Sequence, residues 1–343
     1  MKAPAALSLL LVFFSLNNIF AQKAVDKKAF FKDTSVVNAT LSMNFKKIQA
    51  EKDKVGAVFP ANFSAKINDT LNITDPVSLE VRGHFRRGYC YLPPLKIIFK
   101  THPGTAFYSL KSLKLVSSCT NTDGDDQNLL KEYMCYKIYN QLTDKSFRVR
   151  LLNMTYVDSS GKRKPITRHA FLVEDIKQVA KRNDCDDWSD KKAGNLGVDR
   201  RQMTMVYIFE YMISNTDWSV PANHNIRLIH TSADSTSKPF VVPYDFDFSG
   251  LVNTNYSAPD ERLGVESVRV RVYRGFPRTM DELNEALAVF KRQKDNIYAS
   301  INNFSLLTPA TKKEMTSYLD EFYQTINSPV RVKEAFIENA RTK

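Results

Sequence analysis

Histidine, glycine, tryptophan and cysteine are all scarce in this chain, with 5, 11, 2 and 4 copies among 343 residues. So few glycines, with only 14 prolines, exclude a collagen-like or linker-rich protein, and no internal repeat is present. Four cysteines at this length exclude a disulfide-stapled miniprotein, and no Cys-x-x-Cys or Cys/His cluster offers a zinc site. Beyond the N-terminus no apolar run reaches the roughly 18 residues that a spanning helix needs. What remains, 43% apolar and 25% charged residues, suits an ordinary packed core. The length fits one large two-lobed domain or two modest ones. With 49 Lys and Arg against 37 Asp and Glu the formal charge is +12, which favours anionic partners such as nucleotides or acidic envelope polymers. A charge of this size more often marks a solvated surface than a nucleic-acid interface.

Residues 1–21 read as a signal peptide. Lys2 gives the positive start, Ala5 to Leu16 a mostly apolar stretch, and Ile19-Phe20-Ala21 a cleavage point before Gln22. The stretch is too short to span a bilayer, so the expectation is a secreted or periplasmic protein with no transmembrane segment in the mature chain. Export permits disulfides among Cys90, Cys119, Cys135 and Cys185, with buried free thiols as the alternative. Cys90 and Cys119 both fall in the β-rich portion and bond if their strands are neighbours.

From about 35 to 120 the pattern is that of strands. Ala39 to Phe45 alternates Leu41, Met43 and Phe45; Val77 to Val81, Leu95 to Phe99 and Leu113 to Val116 are further short runs. A helix is expected over about 127–142, two strands near 147–157 and 168–174, and a buried helix over about 199–214. Short strands at Ile226 to Ile229 and Phe240 to Pro243 follow, and Val268, Val270 and Val272 alternate with Arg269 and Arg271 inside an ordered excursion over 251–279. Helices are expected at about 280–301, 309–326 and 329–341. The division is a β-rich N-terminal lobe with one long helix over 22–175 and a mainly helical C-terminal lobe over 176–343.

The informative unit spans 199–250. Its polar loop offers Asn215, Asp217, Asn223, His224 and Asn225, and the end of the second short strand offers Asp245 and Asp247. Hard oxygen ligands on facing loop ends are what magnesium needs when it also binds nucleotide phosphates. A carboxylate beside a hydroxyl substrate orients it and accepts its proton. An Asp, an Asn several residues later and a hairpin leading to another Asp is the catalytic layout of a protein kinase. No Gly-x-Gly-x-x-Gly and no His-Arg-Asp occurs, so an ordinary protein kinase is a poor match. Taken singly, an acidic turn caps backbone groups more often than it does chemistry. Arg269, Arg271, Arg274 and Arg278 could grip a phosphate, although an outward strand face explains the first pair equally well.

The run Val81-Arg82-Gly83-His84-Phe85-Arg86-Arg87, then Pro93-Pro94-Leu95-Lys96-Ile97-Ile98-Phe99, resembles the Arg-Gly-Asn…Pro…Lys-x-Lys-Phe signature of the CotH family of spore-coat-type atypical kinases. Asn215-Thr216-Asp217, His224-Asn225 and Pro243-Tyr244-Asp245-Phe246-Asp247 are similar to that family's Asn-x-Asp…His-Asn…Pro-Trp-Asp-x-Asp segment. The resemblance covers roughly 75–250. It implies an α+β, protein-kinase-like two-lobed fold, with ATP between a β-rich lobe and a mainly helical one. Asp217 would be the catalytic base, and Asn225, Asp245 and Asp247 would hold Mg2+. Lys96, or else Lys100, would contact the phosphates, Glu132 would hold that lysine, and Arg82 and Gly83 would form the phosphate-covering turn. The sequence departs from the signature at His84, at Ile98 and at Tyr244.

The implied function is transfer of the ATP γ-phosphate to a Ser or Thr of an envelope or extracellular protein. A non-catalytic binding or assembly protein on the same scaffold is the alternative, since function lives in the site rather than the fold. A metal-dependent phosphohydrolase built on Asp245 and Asp247 would need further His or Asp ligands, and His is scarce.

Overall fold

The computed structural model describes residues 25–66, 72–83, 85–100 and 105–342. The expected leader at 1–21, with its cleavage after Ala21, and His84 of the resemblance lie outside the described residues. No described helix is long and apolar enough to cross a membrane.

Seven strands close into a barrel: β1 (Val37–Met43), β2 (Val58–Lys66), β3 (Asn72–Val81), β4 (Leu95–Phe99), β5 (Ser112–Ser117), β6 (Val149–Asp158) and β7 (Ile166–Val173). Their order is β1-β2-β3-β4-β5-β7-β6. Neighbours are antiparallel except β1 and β6, which run parallel with Val37 opposite Leu152 and Met43 opposite Asp158. Alternation along each strand sends one set inward: Leu41, Phe63, Leu79, Ile97, Leu115 and Leu172 share one dry core. The opposite faces of β5, β6 and β7 carry Val116, Leu151, Phe171 and Val173 into a second core among the helices.

This closure overturns the expected protein-kinase-like two-lobed fold. The strand-rich part is a closed mixed barrel rather than the open sheet of a kinase lobe. Sequence alternation reports which face of a strand is buried, not which strand lies beside it. The parallel β1–β6 pairing that removes both sheet edges left no local signal.

The helices are α1 (Lys27–Lys32), α2 (Phe45–Glu51), α3 (Phe85–Tyr89), α4 (Asp123–Leu142), α5 (Ile176–Lys181), α6 (Arg200–Ile213), α7 (Met280–Asn302), α8 (Pro309–Ile326) and α9 (Pro329–Lys333). A small sheet, β8 (Cys185–Asp187), β9 (Ile226–Thr231) and β10 (Phe240–Pro243), has the order β10-β9-β8. Phe45 begins α2 instead of ending a strand, because the Asn44 side chain accepts the amide of Lys47 and caps the helix. Helix α4 starts at Asp123, earlier than the apolar pattern indicated, because Thr122 caps it and Asp123, Asp125 and Asp126 occupy its first turn. Residues 264–279 contain no strand. Arg269 and Arg271 pair with Glu314 and Glu321 of α8 and lie over the ring of Tyr318. Cys90 and Cys119 are disulfide-bonded; Cys135 and Cys185 are buried thiols.

Candidate active site

Helix α6 ends at Ser214, whose left-handed backbone (φ 53) turns the chain into the polar loop. Asn215 braces that loop: its side-chain oxygen accepts the amide of Asp217 at 3.1 Å and its carbonyl accepts Trp218 Nε1 at 3.2 Å. Arg274 Nη1 donates to the carbonyls of Thr216 and Trp218, on either side of Asp217. Arg274 therefore fixes the loop instead of offering itself to a phosphate. Arg278 is likewise spent, on Thr204 and on the carbonyls of Phe276 and Pro277.

The Asp217 carboxylate is partly exposed and held at both oxygens. His224 Nε2 lies 2.9 Å from Oδ1, and Asn225 Nδ2 donates to Oδ2 at 2.9 Å and to the Asp217 carbonyl at 2.7 Å. An ionised carboxylate only accepts, so His224 carries its proton on Nε2.

The β9–β10 register brings the next two residues together. Ile226 opposes Pro243, and the amide of Tyr244 donates to the Asn225 carbonyl at 3.0 Å, one rung further on. Asn225 and Asp245 both have left-handed backbones, at φ 50 and 68, a conformation that Asn and Asp adopt more readily than other side chains. The Asp245 amide donates to the Tyr136 hydroxyl of α4 at 2.9 Å, which locks this turn to the helix. The Asn225 Nδ2 is engaged on Asp217, which leaves its Oδ1 as the atom of this side chain able to meet a cation. Among the described residues no three His, Cys, Asp or Glu converge closely enough to hold a metal unaided. A divalent ion here would complete its shell with phosphate oxygens and water, which is how magnesium usually binds.

Three cations converge on the same hairpin end. Lys114 of β5 lies 3.7 Å from the centre of the Tyr244 ring and Arg227 of β9 lies 4.8 Å from it. Arg82, just past β3, reaches the carbonyls of Leu95 and Leu115. None of the three makes an ion pair among the described residues. Burial, then repulsion from Arg82 and Arg227, pushes the Lys114 ammonium down to about 7, against the pull of Asp245. Unpaired cations packed beside a carboxylate turn are a ready anion site.

The other expected residues divide. Gly83, at φ 75, makes the turn after β3, and the Arg82 amide donates to the Pro94 carbonyl. Glu132 of α4 is buried with Oε1 unpartnered, and burial, then Asp247 and Asp245, raise it well above the usual carboxylate range. The cations that act on it are Arg86 and Arg82. Lys96 is spent on Glu80 at 3.1 Å on the barrel exterior, and Lys100 is exposed beyond β4. Asp247 is buried, and burial, then Asp245, pushes it up to about 6.

Lys114, Arg227 and Arg86 escaped the sequence reading. The available signal was a lysine between Leu113 and Leu115, a polar residue on the outward face of an otherwise apolar strand. Lys96 and Lys114 are cross-strand neighbours, so the choice between them depends on a register that no motif encodes.

No protein-family profile matches the chain. No curated protein matches it either. Among solved structures, the crystal structure of the Helicobacter pylori proinflammatory kinase CtkA is similar over 71% of this chain and 90% of that one, with a TM-score of 0.39 and 13% identity.

Proposed function

We propose that the chain is a phosphotransferase that moves the γ-phosphate of ATP to a Ser or Thr hydroxyl of an envelope or extracellular protein, as the motif resemblance to the CotH family implies. One observation carries this reading. The end of the β9–β10 hairpin sets oxygen donors, Asn225 and Asp245, against three cations, Lys114, Arg82 and Arg227, that have no carboxylate partner among the described residues; the two arginines are positioned by backbone carbonyls.

In this reading Lys114, Arg82 and Arg227 bind the phosphate chain, and the positive charge they carry offsets the negative charge that shifts between phosphate oxygens during transfer. Mg2+, held by Asn225 and Asp245, would add further charge neutralisation at the same phosphates. Asp217 receives the proton of the attacking hydroxyl. The hydrogen bonds from His224 and Asn225 aim its carboxylate at the acceptor. The reaction takes place in the envelope or outside the cell if residues 1–21 act as the leader.

The test is ATP binding by calorimetry, with and without Mg2+, on the purified protein and on Asp245→Asn. Saturable binding that needs Mg2+ and is lost in the variant is the expected result. A folded, monodisperse protein that binds no ATP would overturn the proposal and leave the scaffold as a binding or assembly module.

A further inference from the structure

Beside Asp247 lies a small cavity lined by Arg86, Ser117, Glu132, Asp247, Thr254 and Tyr256. Its charges have no part in the reaction as derived above. Arg86 reaches in from α3 with its guanidinium 3.7 Å from Asp247 Oδ2. Its Nη2 donates to the Ser117 carbonyl and its Nε points to Cys90 Sγ at 3.4 Å. The Tyr256 hydroxyl donates to Asp247 Oδ2 at 2.9 Å. The Arg86 and Asp247 side chains are only 11% and 7% exposed. The carboxyl of Glu132 faces the same cavity with an unpartnered oxygen.

Arg86 is not a loose arm. Helix α3 is fastened at its end by the Cys90–Cys119 disulfide and by the Tyr91 amide on the Cys119 carbonyl. On the other side Phe85 packs 5.8 Å from Phe248, and Tyr89 packs 5.6 Å from Tyr256. Burial works against the Arg86 charge, but Tyr256 and the carboxylates of Asp247, Glu132 and Asp245 hold it firmly in the charged form.

Two carboxylates on one turn, Asp245 and Asp247, carry enough charge for two divalent ions around a polyphosphate. Here a guanidinium already neutralises the inner one, and a second ion beside it would meet strong repulsion where both side chains are largely buried. We infer that Arg86 is a fixed internal cation filling the second cation position, so that the site takes one divalent ion, on Asn225 and Asp245, while Asp247 serves Arg86. This inference rests on the phosphotransferase reading.

The experiment counts Mn2+ ions bound per chain, by electron paramagnetic resonance, in the presence of the non-hydrolysable ATP analogue adenylyl imidodiphosphate. The expected result is one ion in the unaltered protein. Asp247→Asn, which preserves shape, keeps that ion with an affinity within about threefold. Arg86→Met takes up a second. Two ions in the unaltered protein, loss of the ion in Asp247→Asn, or a folded Arg86→Met that still binds one, each overturns the inference. Two ions with the analogue bound would leave the phosphotransferase reading standing; no analogue bound at all would sink both.

Discussion

The ammonium of Lys114 lies over the ring of Tyr244, the residue that leads the chain into Asp245. A lysine in the outer layer of the barrel is thereby fixed to the acidic turn of the helical part. Burial there, beside Arg82 and Arg227, makes Lys114 costly. Its ordinary value of 10.5 falls to about 7 in the folded protein, so between those values the unfolded chain holds a proton that the native one lacks. Stability from this group therefore rises with pH across that window, and the full penalty applies below about 7. Lys114→Met should raise the thermal midpoint at pH 7 and lower ATP affinity about tenfold or more. In the unaltered protein ATP affinity should fall between pH 7 and pH 9 as the charge is lost, and the variant should be flat once ATP's own titration is subtracted. Calorimetry at several pH values reads both. Unchanged affinity in a folded variant would remove Lys114 from the phosphate site.

Asp217 and His224 separate proton transfer from binding. Asp217→Ala should lower phosphate transfer by about 10²–10⁴-fold and leave Mg2+-dependent ATP binding intact, because its carboxylate meets the acceptor hydroxyl. His224→Ala removes the bond to Oδ1 but leaves Asn225 on Oδ2. A loss of about tenfold is expected there, in turnover and not in the Michaelis constant for ATP. Initial-rate kinetics at saturating and limiting ATP make the distinction.

Helix α6 and strand β10 lie within a residue of where periodicity predicts them, because a buried helix and a short apolar run are local patterns. The grouping of Asp217, Asn225 and Asp245 was readable for a related reason, since a hairpin between two short strands must return its ends to one place. Lys96 shows where that reasoning stops. Alternation puts Lys96 and Lys114 on the same outer face, and only the fold reveals that Glu80 neutralises one while the other abuts Tyr244. The Val-Arg alternation at 268–272 misled in the opposite direction. Its backbone is held by the Ser214 hydroxyl on the carbonyls of Val268 and Val270, with no partner strand. The barrel closure was the least legible feature, since β1 and β6 are joined by pairing across more than a hundred residues.

The Cys90–Cys119 bond closes a loop of 29 residues and ends the segment that carries Arg86. Replacing both cysteines with serine should cost about 3–4 kcal/mol on the chain-entropy account, read from the urea midpoint. The same variant should loosen α3, so that limited proteolysis cleaves within 82–94 before any other region. If the midpoint moves and the proteolytic pattern does not, the disulfide acts on the unfolded chain alone and does not hold Arg86 in place.

Gly250 closes the acidic turn where three segments meet. Its amide donates to the Ser214 carbonyl at 3.0 Å, just where the Asp217 loop begins. A methyl group there would sit 2.5 Å from the Val268 carbonyl oxygen, 2.6 Å from the Tyr318 hydroxyl and 2.9 Å from the Arg269 Cα. Two of these atoms are backbone, so a rotamer change cannot relieve the contact. Gly250→Ala should therefore cost about 1–3 kcal/mol or more by overpacking. The displaced 268–270 segment pulls on Ser214, whose hydroxyl bonds to Val268 at 2.7 Å, and through it on Asp217, so transfer should fall further than stability explains. Gly124, in the first turn of α4, is the control. A methyl group meets nothing within 4 Å there, so alanine should be neutral or stabilise by about 0.5–1 kcal/mol. Urea unfolding of the two variants side by side, with transfer assayed on each, decides whether the turn after Asp247 is packed as tightly as these distances require.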